Sequence, residues 1–413
     1  MENNNKSILD QIMNNHQVEQ VARLDAVEII TNLFNELDER ARDILIRRFG
    51  LRRAGRKEIL EEIGKIHKLT RERIRQIETA SIKRLRQFDN LDSYLSGLKN
   101  IIIKLLEEHG GFMEKEYLFN NLVNFSVGGS KDDVNEMKHK RHFDFLISKL
   151  LSDEFEAIGD SEYFKEFFKL KYQSLEHLEA LAKELLEKIQ ETKKIFTTAE
   201  LVNLSKGLEA YKNNQEKFSL ASSLDISGIL ANDLFKESTE VANGNKVIYS
   251  IMQAAKTIKQ NKFGFWGIKD WREISPKTIN DKIYLILKNS GQPLHFTEIA
   301  DKIDKISFDK KKANAATVHN ELILDEKYIL VGRGLYGLKE SGYRTGTVAA
   351  VVEKIIAESN QPLNREEIIN KVLAQRIVKR ATINLVLMNR DKFEITADGK
   401  YRIKDGIVAV ELK

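Results

Sequence analysis

Residues Leu60–Phe88 read LEEIGKIHKLTRERIRQIETASIKRLRQF, and the spacing of their apolar side chains decides the local architecture. Leu60 and Ile63 are placed to bury one side of a short helix. Gly64 permits close packing against the next helix, and His67, Lys68 and Leu69 form a turn. Thr70 is suited to cap a second helix, with Arg73 where a capping box would place Glu. Ile74, Ile77 and Leu85 then form a stripe directed at a core. The opposite face carries Arg71, Glu72, Arg75, Gln76 and Thr79. A helix entering the major groove by its first turns would present that face to base edges. Arginine pairs with guanine, glutamine with adenine, and glutamate accepts from cytosine. An acidic residue between arginines has no place in pure phosphate affinity, so it argues for base readout.

Charge is concentrated in the same region. The chain of 413 residues carries a net charge of +5, yet Asp38–Phe88 alone holds sixteen Lys/Arg against eight Asp/Glu, a net of +8. The remainder is therefore −3, and so local a surplus points to a polyanionic partner or to a solvated, salt-bridged helix face. Arg52, Arg53, Arg56 and Lys57 form a basic loop suited to general phosphate contacts. The absence of cysteine excludes disulfides, iron–sulfur clusters and cysteine-ligated zinc. No apolar run approaches the roughly 18 residues of a membrane span, and the N-terminus has no apolar signal core. These features lead us to expect a cytoplasmic, nucleoid-associated protein without a membrane partner.

The segments TRERIRQIE and KRLR, with ERARDILIRRFGL (Glu39–Leu51) upstream, resemble region four of housekeeping-type bacterial sigma factors over about Val27–Phe88. The resemblance implies a domain that recognises the −35 element of double-stranded promoter DNA and docks on the β flap of the RNA polymerase core. By the family pattern, Arg71, Glu72, Arg75 and Gln76 read bases, and Arg40 and Arg48 hold the DNA backbone. We add Arg52, Arg53, Lys68 and Thr70 as backbone candidates. Ile59 departs from the threonine that usually caps the first helix of the motif, and the preceding loop is one residue longer. Fewer than thirty residues precede the match, and none resembles region two. We therefore expect a sigma-like regulator or accessory factor.

Farther along, ILKNSGQPLHFTEIADKI (Ile286–Ile303) matches IIAESNQPLNREEIINKV (Ile355–Val372) at an offset of 69, and KYILVGRGLYGL (Lys327–Leu338) matches KFEITADGKYRI (Lys392–Ile403) at an offset of 65. Tyr328 meets Phe393, Gly334 meets Gly399, and Tyr336 meets Tyr401. Each copy reads as a helix, a Pro-initiated second helix, a third helix opened by a capping threonine (Thr317, Thr382) and a β-hairpin, which together describe a winged helix. Two weaker copies precede them. Ile101–Leu170 contains the strand pair FEAIG and YFKEFFKL; Leu175–Ile251 contains LFKEST and KVIYSI, read as strands. Ser126–Lys140 and Ser205–Phe218 read as long polar connections. The expected fold is mainly α, a helix-turn-helix followed by tandem winged-helix modules. Its spans are a polar tail 1–22, the helix-turn-helix 23–92, divergent winged helices 93–173 and 174–256, a third at 257–343 and a fourth at 344–413.

Phe265–Tyr343, with WGIKDW and TVHNELILDEKYILVGRGLYGLKESGY, resembles the HARE-type helix-turn-helix, a winged helix shared by the δ subunit of bacterial RNA polymerase and by some chromatin and restriction proteins. Some relatives bind polymerase and not DNA. Arg333, in the turn VGRGLYG, is a wing-contact candidate. Trp266 and Trp271 read as a core or interdomain pair, and His295 and His319 as residues that satisfy local hydrogen bonds. No third ligand lies at metal-site spacing, and the GRG glycines serve a turn, because no G-x-x-x-x-G-K-[ST] surrounds them. No paired carboxylates or Ser/His/Asp set stands out. We therefore expect no metal, cofactor, catalytic residue or small-molecule substrate. The readings open at this point are a DNA-binding regulator, a polymerase-bound adaptor whose modules touch protein only, and a restriction or modification enzyme component.

Overall fold

The computed structural model describes residues 25–52, 55–127, 133–230, 232, 234–343, 346–359 and 361–404. It is mainly helical with small antiparallel sheets, and it divides into two compact units, Met1–Asp270 and Trp271–Lys413. The expected tail 1–22 and Arg53 lie outside the described residues.

The first unit opens with α1 (Ala26–Phe34), capped by Asp25, whose carboxylate accepts from Val27 N at 2.8 Å. Then comes α2 (Glu39–Phe49), capped by Asp38 and ended by Gly50 at φ 66°. That left-handed conformation suits glycine, and a Cβ there would sit 3.1 Å from the Arg56 carbonyl carbon. Next are α3 (Leu60–His67) and α4 (Arg71–Arg86). Ile44, Ile63 and Ile74 are fully buried at their junction, with Leu60, Leu69 and Ile77 packed around them. The helix-turn-helix stripe is thus the core of this small bundle.

The long α5 (Leu91–Glu108) leads through β1 (Phe112–Glu114) to α6 (Lys115–Val127) and α7 (Asp133–Phe145), which runs into a single π-helical turn at Leu146–Leu150. β2 (Phe155–Ile158) and β3 (Phe167–Leu170) come after it, and the sheet order is β1-β3-β2. The strand pair read from FEAIG and YFKEFFKL is present. The polar connection expected over Ser126–Lys140 is instead largely helix, because α6 and α7 leave only 128–132 between them.

α8 (Glu176–Thr192), α9 (Thr198–Gly207) and the short α10 (Glu209–Lys212) and α11 (Gln215–Phe218) come next. The last two occupy much of the loop expected at Ser205–Phe218. LFKEST is irregular up to Thr239, where α12 (Thr239–Gly244) begins, and KVIYSI lies in α13 (Lys246–Ala254), so neither is a strand. The hairpin of this unit lies later, as β4 (Ile258–Gln260) and β5 (Trp266–Ile268). Trp266 exchanges main-chain hydrogen bonds with Phe196 at 2.7 and 2.9 Å, and its indole N–H donates to Thr198 at 2.8 Å. Residues 258–268 therefore close the first unit, where a boundary at 256/257 would have assigned them to the next module. Trp271 opens the second unit.

The second unit holds α14 (Ile279–Ser290), β6 (Leu294–His295), α15 (Phe296–Ile306), α16 (Ala315–Leu324), β7 (Tyr328–Gly332) and β8 (Leu335–Leu338), with sheet order β6-β8-β7. It ends with α17 (Val348–Glu358), α18 (Arg365–Leu373), α19 (Arg380–Leu387), β9 (Phe393–Ile395) and β10 (Tyr401–Ile403). The internal repeat is structural as well as textual: Leu294 pairs with Tyr336 in the first copy, and Leu363 bridges Tyr401 in the second. Three local details differ from expectation. Pro293 precedes a strand, and α15 is capped by His295, whose Nδ1 accepts from Thr297 N. α16 is capped by Asn314 and not by Thr317; α19 begins at Arg380, two residues before Thr382, behind Lys379, whose side chain makes no cap. His319 packs between Phe296 and Tyr336, with ring centroids at 4.6 and 5.8 Å.

Candidate nucleic-acid interface

The site grows from the turn between α3 and α4. The Gly64 carbonyl accepts from both Lys68 N and Leu69 N, the latter at 2.9 Å, which closes α3 tightly. Lys68 takes a left-handed conformation at φ 56°, which L side chains adopt at a cost. Its own side chain is exposed. Thr70 Oγ1 then accepts from Arg73 N at 3.2 Å and starts α4. At the head of α3, Ile59 has no side chain to cap with, but Glu62 reaches back to Ile59 N at 3.2 Å. Half of a capping box survives the departure from threonine.

Buried Ile74, Ser81 and Leu85 fix the rotation of α4. Arg71, Glu72, Arg75, Gln76 and Thr79 are consequently exposed on its outer side. Glu72 accepts from Arg75 Nε at 2.9 Å and from Arg75 Nη2 at 2.7 Å, a two-point pair one turn apart. That hydrogen bond holds the Glu72 carboxyl below its ordinary range and raises the Arg75 guanidinium. Arg73 Nη1 donates to Gln76 Oε1 at 3.2 Å, which fixes the orientation of the amide. Arg73 was not among the expected readers; the i, i+3 spacing to Gln76 was the signal. Thr79 turns its hydroxyl back to the Arg75 carbonyl at 2.9 Å.

The backbone candidates divide into free and engaged groups. Arg40 is exposed at the start of α2. Arg48 is partly covered: Nη1 donates to the Glu58 carbonyl at 3.2 Å, and Nε lies 3.4 Å from Glu78. Between Arg48 and Arg71, with Ile59, Leu60 and Glu61, lies a hollow of about 310 Å3. Arg52 is exposed but paired with Asp43 at 2.7 Å, and Arg56 pairs with Glu62 at 2.8 Å. Burial opposes ionisation of Asp43, but Arg47, Arg52 and His67 outweigh it and keep the carboxyl below its usual range. Arg333 belongs to the second unit, where it is exposed in the turn between β7 and β8.

The following module covers part of this bundle. Phe145 of α7 packs edge-on against Phe34 and Phe49, with centroids at 5.6 and 4.9 Å. Arg86, at the tail of α4, donates to the Lys149 carbonyl and to Ser152 Oγ, both at 2.7 Å. Lys57 reaches Asp144 at 3.0 Å. The neighbouring module thus grips the tail and back of the helix-turn-helix and leaves the first two turns of α4 open. Among the described residues no helix is long and apolar enough to cross a membrane, and no His/Cys/Asp/Glu cluster is arranged to hold a metal.

A family model, Sigma-70, region 4, matches residues 33–87. Over 59 residues the chain is 49% identical to the RNA polymerase sigma factor SigA of Microcystis aeruginosa, 14% of each chain. It is 41% identical over 69 residues to RpoD of Helicobacter pylori, 17% of this chain and 10% of that one. It is 35% identical over 88 residues to RpoS of Coxiella burnetii, 21% and 25% respectively. The likeness therefore spans at most about a quarter of these relatives' length, and no solved structure matches. Within those limits, and with the helix-turn-helix geometry on which they converge, residues 33–87 form a Sigma-70 region 4 domain.

Proposed function

We propose that this chain is a sigma-like factor acting in transcription initiation, in which α4 reads promoter DNA of the −35 type and the whole contacts RNA polymerase core, including the β flap. One observation carries the reading: Arg71, Glu72, Arg75 and Gln76 are exposed at the head of a helix whose apolar side, back and tail are all engaged. In the groove, Arg75 would donate to a guanine while Glu72, which already holds it from the side, accepts from a neighbouring cytosine amine. Gln76 would address adenine. Arg40, Arg48, Lys68 and Thr70 flank these tips and would meet phosphates, and Arg52 would do so after release from Asp43. The chain acts by binding, without a catalytic step.

The element order in 93–173 and in both copies of the second unit, three helices with a small sheet, supports reading them as winged helices. The copy at 271–343 is the HARE-like, δ-like one, with Arg333 in its wing. The protein would then be cytoplasmic and associated with the nucleoid.

Selection of bound duplexes from a randomised pool tests the readout. Loss of one two-point base contact should cost about 1–3 kcal/mol at a single position. If Arg75→Ala and Gln76→Ala select the same sequences as the wild-type chain, the assignment fails. A second reading, a polymerase-bound adaptor, is favoured by the acidity of residues 89–270, where 29 Asp/Glu exceed 24 Lys/Arg. A net negative segment offers a duplex less electrostatic attraction than the helix-turn-helix does. Co-purification with polymerase together with weak, salt-insensitive DNA binding would favour it.

A further inference from the structure

Where the helix-turn-helix meets the module behind it, a hollow of about 220 Å3 is lined by Arg48, Lys57, Arg141, Lys149, Ser148 and Asp144 together with the rings of Phe49 and Phe145. Four cations face one carboxylate: Arg48 and Lys57 come from the basic helix-turn-helix, Arg141 and Lys149 from residues 89–270, whose overall charge is negative. Asp144 is already shared between Lys57 at 3.0 Å and Lys115 at 3.1 Å, and Ser148 donates to it at 3.2 Å. Arg141 spends its Nη1 on the Gly50 and Gly55 carbonyls, so its charge is held in place without being neutralised there. Lys149 lies 5.8 Å from the centre of the Phe49 ring and joins no carboxylate among the described residues. Arg48 also lines the hollow that ends at Arg71, so one arginine borders both depressions.

We propose that the joint is a phosphate-binding site for the DNA backbone outside the base pairs that α4 reads, and that the second module thereby lengthens the footprint of the first. This rests on the DNA-reading assignment above. A single backbone phosphate fits within the hollow and suits its charge, Lys57 and Lys149 supply mobile donors, and Arg141 supplies a fixed positive wall. The sequence of the flanking pairs would not matter, because nothing in the hollow reaches a base edge.

The test uses the full chain with Lys57→Gln, Lys149→Gln and both together, and a labelled duplex carrying the site selected by the wild-type protein. Binding is measured across potassium chloride concentrations, on a duplex extending well past the site and on one trimmed to it. On the long duplex the double substitution should reduce the salt slope by about 0.9 and each single one by part of that, and all should weaken binding equally for the selected and for scrambled sequences. On the trimmed duplex the variants should match wild type, which a misfolded variant would not do, and Lys149→Arg should restore the long-duplex slope. A double variant that keeps the wild-type slope while still preferring its site overturns the joint alone. A wild-type chain with no site preference overturns the DNA-reading assignment itself.

Discussion

Gly64→Ala sets two effects of known sign against each other. In the interior of an exposed helix, alanine is favoured over glycine by about 1 kcal/mol. Here, however, a Cβ at position 64 would stand 2.7 Å from the Leu69 carbonyl oxygen, which is backbone and not a flexible side-chain end. Relief requires the turn to open by several tenths of an ångström, yet Gly64 O also receives the Leu69 amide at 2.9 Å, so the turn cannot open without weakening its own closure. Overpacking of this kind costs roughly 1–3 kcal/mol, so the substitution should be destabilising by about 1 kcal/mol once propensity is subtracted. Unfolding of the whole chain is a poor gauge in a protein of two units. Hydrogen exchange at the Leu69 amide is local and direct: exchange should rise about fivefold, and the Ile74 amide, which bonds to Thr70 O at 3.1 Å, should do the same. DNA affinity should fall with it, because Thr70 and the head of α4 are positioned by this turn. Unchanged or slower exchange at Leu69 would refute the argument and show that helix propensity dominates.

Two further outcomes stem from buried charge. Lys246 and Glu108 form an ion pair with both side chains almost wholly covered, and Glu108 also accepts from Ser223 N at 2.9 Å; burial opposes its ionisation, but Lys246 and Ser223 win, and its carboxyl stays below the ordinary value. Lys246→Met strands that carboxylate and should cost about 3–5 kcal/mol, with a large part recovered when Glu108→Gln is added; equal denaturant midpoints for the single and double variants would contradict this. His109 and His142 are both pushed down to about 4, chiefly by burial, and burial also lowers His139 and His177. Below pH 6.5 the unfolded chain takes up protons that the folded chain refuses, so stability should fall as pH drops from about 6.5 towards 4, by up to roughly 1.4 kcal/mol per pH unit for each of the two. A denaturant midpoint that stays flat between pH 7 and pH 5 would count against it.

The elements legible in the sequence are those with one wet and one dry side. In α4, Ile74, Ile77 and Leu85 recur at helical spacing, so both the helix and its free face could be read, and Thr70 marked its start. α13 lacked that contrast: nearly every residue from Lys246 to Met252 is buried, so KVIYSI carries no polar face and its β-branched run mimics a strand. α7 erred in the other direction. Its polar composition resembles a loop, yet Glu136 and Lys140 pair at i, i+4 and His142 Nδ1 bonds back to the Lys138 carbonyl. In the basic loop, composition showed the arginines but not which were spoken for. Lys57 and Asp144 are 87 residues apart, and no local pattern announces such a contact.

The wedge of Phe145 between Phe34 and Phe49 bears on how the protein should be dissected. The residues that match the family, 33–87, stop well short of Phe145 and would invite a truncation just beyond them. Such a fragment would bare an oily notch that the whole chain keeps shut, and it would tend to self-associate. A cut after Asp270, at the end of the first unit, leaves the notch corked and keeps Lys246 on Glu108, which a cut just beyond Leu170 would strand.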